Sequence, residues 1–125
     1  MKFTTSLTKN YEFKRLYNKG KSVASKYVAV YVIRTGKPEN RLGITVSTKL
    51  GGAVKRNRIR RRLKEIYRLN ESMIRPGHNI VLVARMRSRD ADWNELQSSV
   101  MYLLSKLGLL IPDNDNNIGK DTITI

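Results

Sequence analysis

The chain has 125 residues, no cysteine, one histidine (His78), and 25 Lys+Arg against 10 Asp+Glu, a formal net charge of +15. This is one domain long enough to bury a core. The missing thiols exclude a disulfide scaffold, Cys-ligated zinc, an iron–sulfur cluster and a thiol nucleophile, and one histidine leaves no multi-histidine mechanism. No apolar run approaches the ~18 residues that span a bilayer, and MKFTTSLTKNYEF lacks the apolar core of a signal peptide. The expectation is a cytoplasmic protein without a membrane role, whose positive charge serves a polyanionic partner, nucleic acid first.

Asn10 to about Asn18 reads as a helix, with Thr8 or Asn10 as its cap and Gly20 at the left-handed C′ position. Phe13 and Tyr17 are four apart and share a face; by spacing alone they are core residues first. Val23 to Ile33 is a long strand signal with Tyr27, Ala29, Tyr31 and Ile33 on one face, and the region has room for more than one strand. After a turn at residues 36–40, Arg41 to Ser47 reads as a strand hairpin-paired with the first. Thr48 to Gly52 is a loop whose two glycines are read first as a tight turn.

Ala53 to about Asn70 is the clearest helix, with an apolar stripe of Ile59, Leu63, Ile66 and Tyr67. Pro76-Gly77 stops the chain, and His78 reads as a loop residue. Asn79 to Met86 is apolar almost throughout, which suits a central strand covered on both faces. Asp90 and Asp92 read as helix caps, and Asp92 with Glu95 resembles a capping box. Trp93, Leu96, Val100, Leu103, Leu104 and Leu107 follow as a core stripe, closed by Gly108. The order α-β-β-(β)-α-β-α gives an α+β fold, a two-layer α/β sandwich of three or four strands. It forms a single RNA-binding domain over residues 1–111, with 112–125 a flexible polar tail.

The chemistry concentrates in one helix. Between Val54 and Arg68 stand Lys55, Arg56, Arg58, Arg60, Arg61, Arg62, Lys64 and Arg68, against the single acid Glu65. A solvated helix face usually mixes signs, because like charges three or four apart repel. A run of one sign calls for phosphates, and arginine suits their bidentate recognition. Arg56 falls near the apolar edge, where its stem can be buried. The preceding loop brings Lys49, Gly51 and Gly52 to the helix N-terminus, where amides favour an anion. Carboxylates are scattered, so no metal site and no catalytic residue is assigned on the protein.

The stretch VSTKLGGAVKRNRIRRRLKEIYR resembles the signature of the bacterial ribonuclease P protein subunit: Arg56-Asn57-Arg58 opens a basic helix after a strand and a Lys- and Gly-containing loop. Val46, Ser47, Lys49 and Ala53-Val54 match as well, and the resemblance spans roughly residues 7–110. It implies a left-handed β-α-β crossover around the basic helix, as in the ribosomal-protein-like family, against the usual right-handed rule. It implies a protein that works with a catalytic RNA, ribonuclease P RNA, whose bound Mg²⁺ carries the hydrolysis, and that helps bind precursor tRNA for removal of its 5′ leader. Lys49, Lys55, Arg56, Asn57, Arg58, Arg60, Arg61, Arg62, Lys64 and Arg68 would contact RNA. Phe13, Tyr17 and Tyr31 would line a cleft for the leader, with Tyr27 extending the platform; Tyr17 stands where the family commonly has Phe. Aromatics suit unpaired RNA because every base has a π-face. Phosphate or sulfate is expected to stabilise the fold at anion sites beside the helix.

The rival reading is a ribosomal or general RNA-binding protein without a role in cleavage, which the composition supports equally well. A DNA-binding module is disfavoured, because basic residues surround most of the helix instead of forming one reading edge.

Overall fold

A computed structural model describes residues 1–112. Three helices pack on a five-stranded sheet: β1 Thr4–Ser6, α1 Asn10–Lys19, β2 Lys21–Ala24, β3 Val28–Arg34, β4 Asn40–Val46, α2 Ala53–Asn70, β5 His78–Ala84 and α3 Trp93–Lys106. The α+β class and the order of helices agree with the sequence. The expected tail, apart from Pro112, lies outside the described residues.

The sheet order is β1-β4-β5-β3-β2. β5 runs parallel to β4 and antiparallel to β3, with Leu82 opposite Ile44 on one side and Val30 on the other. This central place matches its apolar run: Ile80, Val81 and Leu82 are fully buried. It also corrects the expected β3–β4 hairpin. The chain leaves β4 through α2 and returns as β5 between the two strands, a β-α-β unit that separates them.

The long strand region is two strands. Ser25 makes the turn: its N–H donates to Val28 O at 2.8 Å, and its Oγ accepts the N–H groups of Tyr27 and Val28 at 3.1 and 3.2 Å. Serine oxygens stabilise turns this way. β2 then pairs antiparallel with β3, Ala24 opposite Ala29.

The pleat of β3 divides the core. Val28, Val30 and Val32 face α2 and α3, joining Ile59, Leu63, Ile66, Leu96, Val100 and Leu104 in the main cluster. Tyr31 and Ile33 face the other way, toward α1, where Leu7, Leu16 and Val81 form a smaller cluster with Phe13 and Val83. α2 and α3 thus cover one face of the sheet, and α1 lies on the opposite one.

The helix ends correct three expectations. α1 begins after Lys9 with no side-chain cap, so neither Thr8 nor Asn10 caps it. Gly20 has φ −74°, not a left-handed value. Its lack of a side chain serves close approach, since a Cβ there would stand 2.6 Å from Leu16 O and 3.0 Å from Val32 O. Asp92 does cap α3 in a full capping box, accepting Glu95 N–H at 2.8 Å while Glu95 Oε1 accepts Asp92 N–H at 3.0 Å. Asp90 instead follows the 3-10 turn Met86–Arg89.

A polar cluster ties the edge strand down. Glu71 is buried and its carboxylate accepts the N–H groups of Lys2 and Phe3 at 2.8 and 3.2 Å. The buried Tyr67 hydroxyl bonds Thr4 Oγ1 at 3.0 Å and accepts from Asn40 Nδ2 at 3.2 Å. Asn40 Oδ1 also accepts His78 N–H at 2.9 Å, so His78 is the first residue of β5 and not a loop residue.

Candidate nucleic-acid interface

α2 buries Ile59, Leu63, Ile66 and Tyr67 and turns almost everything else outward. Its start is open. Gly52 occupies the N-cap with no side-chain hydrogen bond, no acid lies in the first turn, and Val54 is 83% exposed. Gly51 reaches φ 132°, a conformation that side chains disfavour, and this swings the chain from the 3-10 turn Thr48–Leu50 into the helix. Lys49 is exposed in that turn, its N–H donating to Ser47 Oγ at 3.2 Å.

The basic side chains of α2 differ in how they are held. Arg56 is half-buried, and its Nε donates to Gly51 O at 3.1 Å. Arg60 donates to Asn57 Oδ1 at 3.1 Å, one turn back. Arg62 donates to Ala91 O at 3.0 Å, bridging to the segment before α3. Arg68 pairs with Glu65, Nε to Oε1 at 2.8 Å. That hydrogen bond holds the Glu65 carboxyl below its ordinary range and raises the Arg68 guanidinium. Lys55, Arg58, Arg60, Arg61, Arg62 and Lys64 have no carboxylate at salt-bridge distance, since the ion pairs among the described residues are Arg41–Glu12 and Arg68–Glu65. Lys55, Arg58, Arg61 and Lys64 are exposed, as is Asn57.

On the other face, α1 presents Phe13 and Tyr17 to the sheet. The Tyr17 and Tyr31 rings meet edge to face, centroids 5.0 Å apart at 82°. The Tyr17 hydroxyl bonds Thr45 Oγ1 at 2.8 Å, yet Tyr17 stays 39% exposed. Phe13 lies against Gly43 of β4: a Cβ there would stand 2.6 Å from its ring. Arg41 of β4 grips Glu12 through both guanidinium nitrogens, NH2 to Oε1 at 3.1 Å, and fixes α1 over the sheet.

The two halves meet at the sheet edge. β1 pairs with β4 only through Leu42, so β4 is uncovered on that side from Gly43 onward. A cleft of ≈ 380 Å³ opens there, lined by Phe13, Leu7, Gly43 and Ile44 and by Arg60 and Lys64 of α2. One concavity therefore carries an aromatic ring and two cations.

Of the predicted aromatics only Phe13 lines this cleft; the Tyr17–Tyr31 pair lies outside its lining, and Tyr27 joins neither. The turn at Ser25 breaks the strand before Val28, so the alternation that put Tyr27 beside Tyr31 does not extend that far. Its ring packs against the main core on the α3 side, and its hydroxyl donates to Glu95 Oε2 at 2.9 Å. Tyr11 is 67% exposed, beside Arg15 and Arg34.

The family model for Ribonuclease P matches residues 1–108. The chain belongs to the ribonuclease P protein family. It is 38% identical over 110 residues to the ribonuclease P protein component of Alkaliphilus metalliredigens, covering 88% of this chain and 99% of that one. It is 43% identical over 105 residues to that of Caldanaerobacter subterraneus subsp. tengcongensis, covering 84% and 90%. Among solved structures, the Staphylococcus aureus RNase P protein superposes with a TM-score of 0.78 at 34% identity, over 85% of this chain and 97% of that one. The Thermotoga maritima RNase P protein gives 0.75 at 30% identity, over 81% and 96%.

For this ribonuclease P protein, two parts of the site escaped the sequence reading. Gly43 is the seat of Phe13; its signal was a glycine inside a strand pattern, which marks close approach. The Arg41–Glu12 pair had no signal, because the partners lie 29 residues apart. His78 carries a buried Nδ1 without a hydrogen-bond partner, and burial lowers its pKa. The described residues hold no group of three or more His, Asp or Glu side chains able to share a metal ion, and no described helix is long and apolar enough to cross a membrane.

Proposed function

We propose that this protein promotes removal of the 5′ leader from precursor tRNA by holding ribonuclease P RNA on α2 and the unpaired leader in the cleft beneath α1. The observation that carries this reading is the shared concavity in which Phe13 stands with Arg60 and Lys64. An unpaired strand needs a ring for its bases and cations for its phosphates, and the cleft supplies both.

Each part follows from its chemistry. Arg58, Arg61 and their neighbours neutralise phosphates and release counterions, with Arg56 and Asn57 at the same end of the helix and Lys49 beside it. The uncapped amides at Gly52–Val54 add a weak anion site. Tyr17 and Tyr31 offer edges and faces to leader bases, and Phe13 closes the far end. Tyr27, turned toward α3, stands outside this platform.

The Mg²⁺ ions of the RNA active site supply the Lewis acid and the activated water. This chain's side chains bind and orient; they donate no nucleophile and no proton in this account. Holding the leader positions the scissile phosphodiester. Substrate and product are told apart because only the precursor carries a leader.

The test is 5′-end cleavage of a precursor tRNA at low Mg²⁺ by the protein alone, ribonuclease P RNA alone, and both. Cleavage that requires both supports the reading. Cleavage by the protein alone overturns it, and an unchanged rate on adding the protein returns the chain to general RNA binding.

A further inference from the structure

On the flank of α2 away from Arg60 and Lys64, the helix faces the segment that leads into α3. Between them lies a cleft of ≈ 480 Å³. Lys55, Arg58 and Arg62 line one side, three and four residues apart and so in one row along α2. Arg89, from the 3-10 turn Met86–Arg89, lines the other, with Trp93, the first residue of α3. Among the described residues, none of the four cations meets a carboxylate at salt-bridge distance. Two carboxylates share the cleft, but Asp92 is committed to Glu95 N–H as the α3 cap, which leaves Asp90 alone against four positive charges. Arg62 is held in place by its bond to Ala91 O.

Cations in one row repel, and among the described residues of the cleft only the uncommitted carboxylate of Asp90 stands against them. Arginine forks on both sides of a cleft fit phosphodiester oxygens, and a half-buried indole beside them fits a base. We propose that this cleft is a second RNA-binding groove, which takes a strand of ribonuclease P RNA with phosphates on Lys55, Arg58, Arg62 and Arg89 and a base against Trp93. It rests on the reading that the protein works with that RNA. The groove serves the catalytic RNA and not the leader, because Trp93 packs on the α2–α3 side of the sheet and Phe13 and Tyr31 on the other. Two RNA segments are then held at once, one on each face.

Trp93 is the single tryptophan of the chain and lines this cleft, so tryptophan emission comes from this site. Full-length protein is titrated with ribonuclease P RNA, followed by Trp emission and by affinity over NaCl from about 0.1 to 1 M, for wild type, Arg89→Ala and Arg89→Lys. Circular dichroism melting checks that the variants keep the fold. Emission is expected to change with ribonuclease P RNA and to stay there when precursor tRNA is added to the saturated complex. Arg89→Ala is expected to lower the salt slope by about 0.9, which is roughly eightfold weaker binding at ~0.1 M salt and near-equality at ~1 M; Arg89→Lys restores most of it. Unchanged emission at saturating RNA, with a wild-type salt slope in Arg89→Ala, overturns the groove and leaves the proposed function standing. Emission that moves only on adding precursor tRNA overturns the assignment to the catalytic RNA. Failure of wild type to bind ribonuclease P RNA overturns the underlying reading instead.

Discussion

The Phe13 ring occupies the space that a side chain on residue 43 would fill, with ring carbons 2.6 and 2.7 Å from an ideal Cβ there. A strand glycine normally weakens a sheet. Here it lets an aromatic ring from α1 rest on the backbone of β4 and so sets the depth of the aromatic cleft. Gly43→Ala should push the ring out. The expected destabilisation is about 1–3 kcal/mol, as for other overpacked sites, read from urea denaturation, with weaker binding of leader-bearing precursor. Wild-type stability would show that the ring moves aside freely.

Tyr17 is the most exposed ring of the platform, so its loss should affect binding more than folding. Tyr17→Ala should weaken precursor binding by about 1–3 kcal/mol, roughly 5- to 150-fold, if one base stacks there. Binding of mature tRNA should stay the same. Tyr17→Phe keeps the ring and loses only the bond to Thr45, so it should stay close to wild type. Equal losses for precursor and mature tRNA would remove Tyr17 from the leader site.

Arg58 and Arg61 are exposed and meet no carboxylate among the described residues. Replacing either with Ala should weaken binding to ribonuclease P RNA and reduce the salt slope by about one unit, the signature of one lost phosphate contact. Arg68→Ala should do less, because Glu65 already neutralises part of that charge. Competition binding at several NaCl concentrations distinguishes the three.

Glu71 gives the fold a pH dependence. Burial pushes its carboxyl up, but the Thr4 side chain, the amides of Lys2 and Phe3 and the chain's amino terminus outweigh that and hold it below the ordinary carboxylate range. A depressed folded-state pKa means that stability is present above the unfolded value, about 4.3, and is lost as pH falls through the folded value. Glu71→Gln should lose about 1–3 kcal/mol at neutral pH, and its stability should fall less steeply below about pH 4.3. Parallel acid-unfolding curves for the two proteins would contradict this.

Phosphate or sulfate should raise the melting temperature of the protein, by occupying sites among the exposed cations of α2. Sodium chloride at matched ionic strength is the control, because screening alone relieves like-charge repulsion. Equal shifts in both salts would mean screening without site binding.

Much of this molecule was legible before folding because the relevant signals are local. The 3.6-residue period of Ile59, Leu63, Ile66 and Tyr67 defines which side of α2 is buried, and the arginines must then take the rest. The capping box at Asp92 and Glu95 needs only a three-residue spacing. Phe13 and Tyr17 share a helix face for the same reason. Strand pairing is not local. Nothing in residues 28–46 reveals that β5 will enter between β3 and β4, and the short β1 has too few residues to announce itself.

Residue order alone therefore determined the charge, the basic helix, its buried stripe and the family signature around Arg56-Asn57-Arg58. Each of these depends on neighbours within one or two helical turns. Only the tertiary structure decided that Gly43 seats Phe13, that Tyr27 turns away from Tyr31, that Arg60 and Lys64 share a cleft with an aromatic ring, and that Arg89 faces Arg58 and Arg62 across another. Those relationships join side chains far apart in the chain. They arise where a crossing helix and an inserted central strand bring distant segments within contact distance, which no local period encodes.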